Sequence, residues 1–375
     1  MTQVKLKVLQ VGKYYPPVRG GIETHLAMLC RGLRDVVELE VVVANQARDE
    51  ITDVVEGVHV RRLGTLAKIA GAPFCAQLPG IMRRTDADII HIHTPHPTAL
   101  VSYLVSGCRA RLVCSYHSDI VRQRVLGALI KPIQDLAFRR AAVIPAASPD
   151  IIAGSPILAG HRARCELIPY GLEPTAYEHP DTQAITAIRQ RFGCPLLLSV
   201  GRLVYYKGFE VLVRALRKLP VPANLLIIGE GPLQAVLEAE IAAAGLTGRV
   251  HLLGNVSDTV PYYQACDLFV LPSVARSEAF GIVQLEAMVC GKPVVNTRLA
   301  ASGVPFVSRD GESGLTVTPS DSDALAAALA RLLGDDALRL RFGLAGRKRV
   351  EEEFTAQKMV ARTLAVYHRV VDAPA

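Results

Sequence analysis

The feature that most constrains this chain is an alternation, kept up from end to end, of short apolar or β-branched runs with helix-length segments. Residues 8–11 feed a glycine loop and then a helix beginning near Ile22, and residues 39–44, 88–93, 112–116 and 142–146 continue the series. Runs this short, apolar throughout rather than alternating with polar residues, suit strands buried on both faces of a parallel sheet. The same scheme restarts at 196–200 and continues through 225–228, 250–253, 268–271 and 294–296. Strand–helix order repeated in this way predicts an α/β chain of two doubly wound, Rossmann-like parallel-sheet domains. A length of 375 residues agrees, since one domain takes roughly 150.

The segment 168–174, with Pro169, Gly171 and Pro174, reads as the hinge. It divides an N-terminal domain, 1–168, from a C-terminal one, 169–354. The last stretch, 355–371, has helical spacing and fits against either domain.

Composition narrows the class of partner. A formal charge of +7 favours anionic ligands such as phosphates, acidic lipid surfaces or nucleic acid. Nucleic acid is disfavoured, because the aromatic share is only 5% and the basic residues are not clustered. The eight cysteines form no C-x-x-C pair, so neither a zinc site nor a disulfide scaffold is expected. No secretory signal opens the chain, and its longest weakly charged stretch, 141–160, is broken by prolines. Both observations predict a cytoplasmic protein without a membrane span.

In open parallel sheets ligands collect beyond the carboxyl ends of the strands, so four loops there carry the chemistry. Gly20 and Gly21 precede a helix bearing Glu23 and His25. Paired glycines let a phosphate approach backbone amides, although a plain turn reads equally well. Arg202 and Lys207, in 201-GRLVYYKG-208, offer a guanidinium and an ammonium that would together neutralise a diphosphate; a solvated basic loop is the plainer reading. Glu278 and Glu286 have seven residues between them, across a loop-to-helix junction. Glu286 falls on the apolar stripe of Ile282 and Val283, so its carboxylate needs partners, which two ribose hydroxyls would supply. Glu278 would accept from sugar hydroxyls, and the amides of Ala279, Phe280, Gly281 and Ile282 would face the ligand; a capping carboxylate and an unrelated surface glutamate are the plainer reading. Finally His117, in 116-YHSD-119, follows a strand directly and would contact a sugar or an acceptor hydroxyl, with Asp119 orienting it, or else serve a structural hydrogen bond. His91, His93 and His96 invite a metal, but no carboxylate spacing completes the set, and none is expected.

Taken together, GGIETH (20–25), YHSD (116–119), GRLVYYKG (201–208), GEGP (229–232) and SEAFGIVQLEAMVCGKPVV (277–295) resemble family 4 of the retaining glycosyltransferases. The resemblance covers nearly the whole chain. It implies a GT-B fold, two Rossmann-like domains facing across a cleft that holds the donor, with no cofactor or essential metal and with the terminal helix crossing back onto the N-terminal domain. It also implies that Arg202 and Lys207 grip the diphosphate, Glu286 the ribose and Glu278 the donor sugar. Gly21, with Gly20, would lie beside the diphosphate and His117 near the transferred sugar. Gly229 to Gly231 and Asn255 to Val256 would flank the nucleotide. Ala279 stands where the family often has glycine.

The surroundings of residues 291–314 most resemble bacterial mannosyl- and rhamnosyltransferases of surface-polysaccharide assembly. This favours GDP-mannose as the nucleotide-sugar donor, with a UDP-sugar close behind, and a glycan or lipid-linked acceptor. Basic residues beside apolar ones, Arg61, Arg62, Lys68, Arg83 and Arg84, and again Arg122, Arg124, Lys131, Arg139 and Arg140 within 120–140, would let the N-terminal domain rest on an anionic membrane at its inner face. An ordinary amphipathic surface helix fits the second group as well. The alternatives are a UDP-sugar-dependent transferase acting on a small-molecule acceptor, an epimerase and a non-catalytic nucleotide-sugar-binding protein. A nicotinamide dehydrogenase is excluded by the lack of a G-x-G-x-x-G unit.

Overall fold

A computed structural model of the chain describes residues 5–18, 20–69, 71–119 and 124–373, with 124–129 as backbone only. It divides into two compact units: residues 1–171 with 356–375, and residues 172–355. The first break falls three residues beyond the expected 168, because Tyr170 still bonds to His117 and Gly171 N reaches Met359 Sδ of the terminal helix at 3.4 Å.

Unit 1 holds strands β1 (Lys7–Val11), β2 (Glu38–Ala44), β3 (Ile51–Val55), β4 (Val58–Leu63), β5 (Ala67–Ile69), β6 (Ala72–Phe74), β7 (Ile89–Thr94), β8 (Arg111–Tyr116), β9 (Ile144–Ala146) and β10 (Cys165–Leu167). Among the described residues eight of them form one sheet in the order β10-β9-β8-β7-β1-β2-β4-β3, while β5 and β6 pair separately. The sheet is parallel except at its β3–β4 edge. The central strands are buried along almost their whole length, β7 without exception. The helix Ala356–Asp372 packs here: Met359, Val366, Tyr367 and Val370 share a core with Leu29 and Leu33 of the helix Gly21–Leu33.

Unit 2 carries β11 (Leu196–Val200), β12 (Asn224–Ile228), β13 (Val250–Leu252), β14 (Leu268–Leu271), β15 (Val294–Thr297) and β16 (Gly314–Val317). Their order, β13-β12-β11-β14-β15-β16, is all parallel and is that of a dinucleotide-binding Rossmann sheet. Leucines at 196, 197 and 198 are fully buried, and the one polar residue of β11, Ser199, donates to the Val270 carbonyl at 2.7 Å. Aspartates cap three helices: Asp181, Asp321 and Asp335 accept from the amides of Ala184, Ala324 and Leu338.

Three basic residues singled out as membrane-facing are paired within unit 1, one of them Arg139, exposed but 3.2 Å from Asp135. Arg62 is 5% exposed and donates to Asp53 and to the carbonyls of Tyr15 and Pro16, while Arg61 pairs with Glu50 at 2.6 Å. Lys68, Arg83, Arg84, Lys131, Arg139 and Arg140 are exposed. Arg122 and the side chains of Arg124, Val125, Leu126 and Leu129 lie outside the described residues. None of the eight cysteines is in a disulfide, and Cys194 is exposed. No helix among the described residues is long and apolar enough to cross a membrane.

Candidate active site

In unit 2 the strand order reverses between β11 and β14, and the loops after these two strands carry Lys207 and Glu278. Glycine lets the loops meet: Gly208 has φ +67°, and a side chain there would fall on the Pro272 carbonyl. Val274 N donates across to the Tyr206 carbonyl at 2.8 Å. The result is an ion pair between Lys207 Nζ and Glu278 Oε2 at 2.6 Å, with both side chains about nine-tenths buried. Ser273 Oγ donates to the same carboxylate oxygen at 3.0 Å. Lys207 is therefore not part of a solvated loop. Arg202 is: it is exposed and has no side-chain partner among the described residues.

Glu286 sits in the short helix Val283–Val289. The hydroxyl of Tyr263 donates to its Oε2 at 2.5 Å, and Tyr177 supplies a second hydroxyl. Burial holds the carboxyl above its usual range, against the pull of the two tyrosines and of Lys207. The sequence gives no hint of these phenols, because Tyr177 and Tyr263 lie 109 and 23 residues away along the chain.

The glycines divide by role. Gly229 (φ +138°) and Gly231 lie so close to the 201–203 backbone that any side chain would strike the carbonyls of Gly201 and Leu203. Backbone bonds lace these loops together, from Gly201 N to Ile228 O, Leu203 N to Glu230 O and Gly229 N to Gly254 O. Asn255 and Val256 follow in the next loop, Asn255 exposed. Gly281 (φ +73°) faces Leu271 and Gln284. Phe280 is buried, with its ring 6.1 Å from that of Phe354, so its side chain builds core. The carbonyls of Glu278 and Ala279 accept from Ser302 Oγ and Gly303 N, which pins the loop leading to Ile282.

In unit 1 the helix after β1, the end of β7 and the residue after β8 bring a second cluster together. Gly21 opens the helix, with nothing within 4 Å of where a side chain would start, whereas Glu23 curls back over Gly20. His117 is 1% exposed and both its ring nitrogens are engaged: Nε2 lies 2.9 Å from His93 Nδ1, and Nδ1 meets the Tyr170 hydroxyl. Asp119 does not orient it, accepting instead from Tyr116 and Ser155. The imidazoles that gather are His25, His93 and His117, rather than 91, 93 and 96, and each offers a nitrogen within 4.8 Å of the others. That spacing would admit a metal, and within the group His93 Nδ1 and His117 Nε2 are hydrogen-bonded to each other at 2.9 Å. Burial lowers the pKa of His25 to about 3 and takes those of His93 and His117 well below the usual value, so all three rings are neutral at pH 7. His25 Nδ1 is buried without a hydrogen-bond partner among the described residues.

Comparison with known proteins agrees with both halves. Residues 19–175 match the model of Glycosyltransferase Family 4, and residues 186–349 that of Glycosyl transferases group 1. The O-antigen chain mannosyltransferase C of Escherichia coli is 33% identical over 98% of this chain and 99% of its own length. The D-rhamnosyltransferase WbpZ of Pseudomonas aeruginosa is 37% identical over 72% of this chain and 71% of its own. Among solved structures, a sucrose-phosphate synthase from Thermosynechococcus elongatus superposes with a TM-score of 0.81 at 21% identity, covering 98% of this chain and all of the other. HepE of Anabaena, solved with UDP-glucose, gives 0.79 at 22% identity, covering 96% and 100%. The chain is thus a glycosyltransferase of the GT-B fold, belonging to family 4, with the group 1 domain as its second half.

Proposed function

We propose that this enzyme moves a hexose from a nucleotide diphosphate sugar, GDP-mannose by preference, to a glycan or lipid-linked acceptor in the assembly of a cell-surface polysaccharide, with retention of anomeric configuration and without a metal. The observation that carries the reading is the Lys207–Glu278 pair at the strand-order reversal of unit 2, with Glu286 beside it in the same unit. The full-length likeness to an O-antigen mannosyltransferase supports the donor and the setting.

Lys207 and the free guanidinium of Arg202 supply the positive charge that a departing diphosphate needs. Lys207 and Ser273 both bind Oε2 of Glu278, so Oε1 is the oxygen left for a hydroxyl of the donor sugar. Glu286, already holding hydroxyl donors, accepts the ribose diol. Gly229, Gly231, Asn255 and Val256 border the nucleotide, and the 279–282 backbone the diphosphate. In unit 1, Gly20 and Gly21 approach the phosphates and His117 the transferred sugar. The bond from the anomeric carbon to the diphosphate breaks as the acceptor oxygen bonds on the same face, and the acceptor proton passes to the leaving phosphate oxygen. The exposed Lys68, Arg83 and Arg84 give unit 1 a basic surface suited to an anionic membrane.

Titration with GDP-mannose, UDP-glucose, UDP-N-acetylglucosamine and the free nucleotides, repeated with Glu286→Ala, tests the reading. Glu286-dependent binding of GDP-mannose supports it. Selective binding of a UDP-sugar moves the donor to that class, and binding without transfer to any acceptor favours a non-catalytic nucleotide-sugar-binding protein.

A further inference from the structure

Seven buried or partly buried groups of unit 1 join into one hydrogen-bonded chain, and counting protons gives it a direction. The side-chain oxygen of Gln10 only accepts, so its 2.9 Å contact with His93 Nε2 puts a proton on that nitrogen. A neutral His93 then has Nδ1 as an acceptor, and His117 Nε2, 2.9 Å away, carries the proton between them. His117 Nδ1 is left to accept from the Tyr170 hydroxyl. On the other side, Gln10 Nε2 donates to the Tyr367 hydroxyl at 2.6 Å. That hydroxyl spends its own proton on His91 Nδ1, also at 2.6 Å, and His91 Nε2 donates to Ser115 Oγ at 2.8 Å.

Burial lowers the pKa of His91 to about 3 as well, so each of the three rings is neutral, with one proton and two partners, and no ring can change tautomer alone. Turning the Gln10 amide over would move the proton to Nδ1 in all three. We propose that Gln10 and Tyr367, acting through His93, are positioning residues that hold His117 with its proton on Nε2 and its Nδ1 as an acceptor. Tyr367 belongs to the C-terminal helix Ala356–Asp372, so the last helix of the chain takes part in setting a ring on the residue just after β8.

The consequence for catalysis rests on the proposed role of His117; the direction of the chain does not. An acceptor Nδ1 is able to take a hydrogen bond from a sugar hydroxyl in exchange for Tyr170. A neutral ring also places no positive charge against the oxocarbenium-like carbon that forms in glycosyl transfer.

The test begins with the unaltered enzyme, labelled with 15N-histidine and examined by two-bond proton–nitrogen correlation at neutral pH. Signals are assigned with His91→Gln, His93→Gln and His117→Gln. The expected spectrum has His91, His93 and His117 all protonated on Nε2. Protonation of His117 on Nδ1, or different tautomers among the three rings, overturns the proposal. Gln10→Leu and the milder Tyr367→Phe follow. In either one that folds, His117 should become a mixture of tautomers and kcat should fall by at least about 10-fold, since a wrong histidine tautomer alone removes far more in a hydrolytic triad. Donor Kd should weaken less than kcat falls, because a bond to a sugar hydroxyl that tightens in the transition state counts for more there than in the ground state. An unchanged tautomer with unchanged kcat in a folded variant also overturns it. His117→Ala separates the two readings: full turnover there removes the catalytic role of His117, while the spectrum of the unaltered enzyme still decides the direction of the chain.

Discussion

Lys207 reaches Glu278 by passing over Gly201: its Nζ lies 2.9 Å, and its Cε 2.8 Å, from the point where a side chain on Gly201 would begin. The buried ion pair thus depends on a missing side chain in the same loop. Removing one partner strands the other charge, so Lys207→Met should cost about 3–5 kcal/mol of stability along with activity. Lys207→Met combined with Glu278→Gln should recover most of the stability and none of the turnover. Denaturant unfolding of the two single variants and the double variant measures the coupling. Additive losses would mean that the pair is not an interacting unit.

Arg202 presents the opposite case. It is exposed and makes no side-chain bond among the described residues, so the fold has no use for it. Arg202→Ala should leave the melting temperature unchanged and lower kcat by about 100-fold or more, in the range of other lost contacts to a developing negative charge. Near-normal turnover would take Arg202 out of the mechanism.

Two glycines that the sequence treats alike should behave differently. At Gly229, φ is +138° and a side chain would meet the Gly201 carbonyl, so Gly229→Ala should destabilise unit 2 by about 1–3 kcal/mol. Gly21 begins a helix with open space around it, so Gly21→Ala should not lower stability. If Gly21 lies beside the diphosphate, the cost appears as weaker donor binding. Melting temperature and donor titration on both variants check the contrast.

Strand positions were legible because buried parallel strands are written as local apolar runs; β11 and β14 occur at the residues expected, 196–200 and 268–271. The β3–β4 edge was not. Ile51–Val55 is largely exposed, Val58–Leu63 carries two arginines, and the pair is recognisable only through the Glu56–Gly57 turn, both residues at positive φ. In the candidate site the charged residues stood out by type and spacing, but their partners did not. Tyr177 and Tyr263 at Glu286, and Gln10, His93 and Tyr367 behind His117, arrive from strands and helices far along the chain. Asp119, adjacent in sequence to the YHS run, looked like the partner of His117 and is instead bonded to Tyr116 and Ser155. A loop residue two positions away need not point the same way, so short sequence distance was a poor guide there.

The contact proposed between Glu286 and the ribose would make the donor affinity a function of pH. Its carboxyl is raised above the ordinary range chiefly by burial, while hydrogen bonds from Tyr263 and Tyr177 and the charge of Lys207 work against the rise. A ribose diol needs two acceptor oxygens, and a protonated carboxyl offers a donor in place of one of them. Donor binding should therefore be full above the folded-state pKa and fall as the pH drops through it, starting at a higher pH than an ordinary glutamate would allow. Because the ligand prefers the ionised form, binding on the acid side should release a proton, which calorimetry in buffers of different ionisation enthalpy reads directly. Tyr263→Phe removes a bond that favours ionisation, so it should move the acid limb to higher pH while leaving the plateau affinity near that of the parent. Glu286→Gln should abolish the limb altogether. An acid limb that survives in Glu286→Gln would assign the titration to another group and detach Glu286 from the ribose.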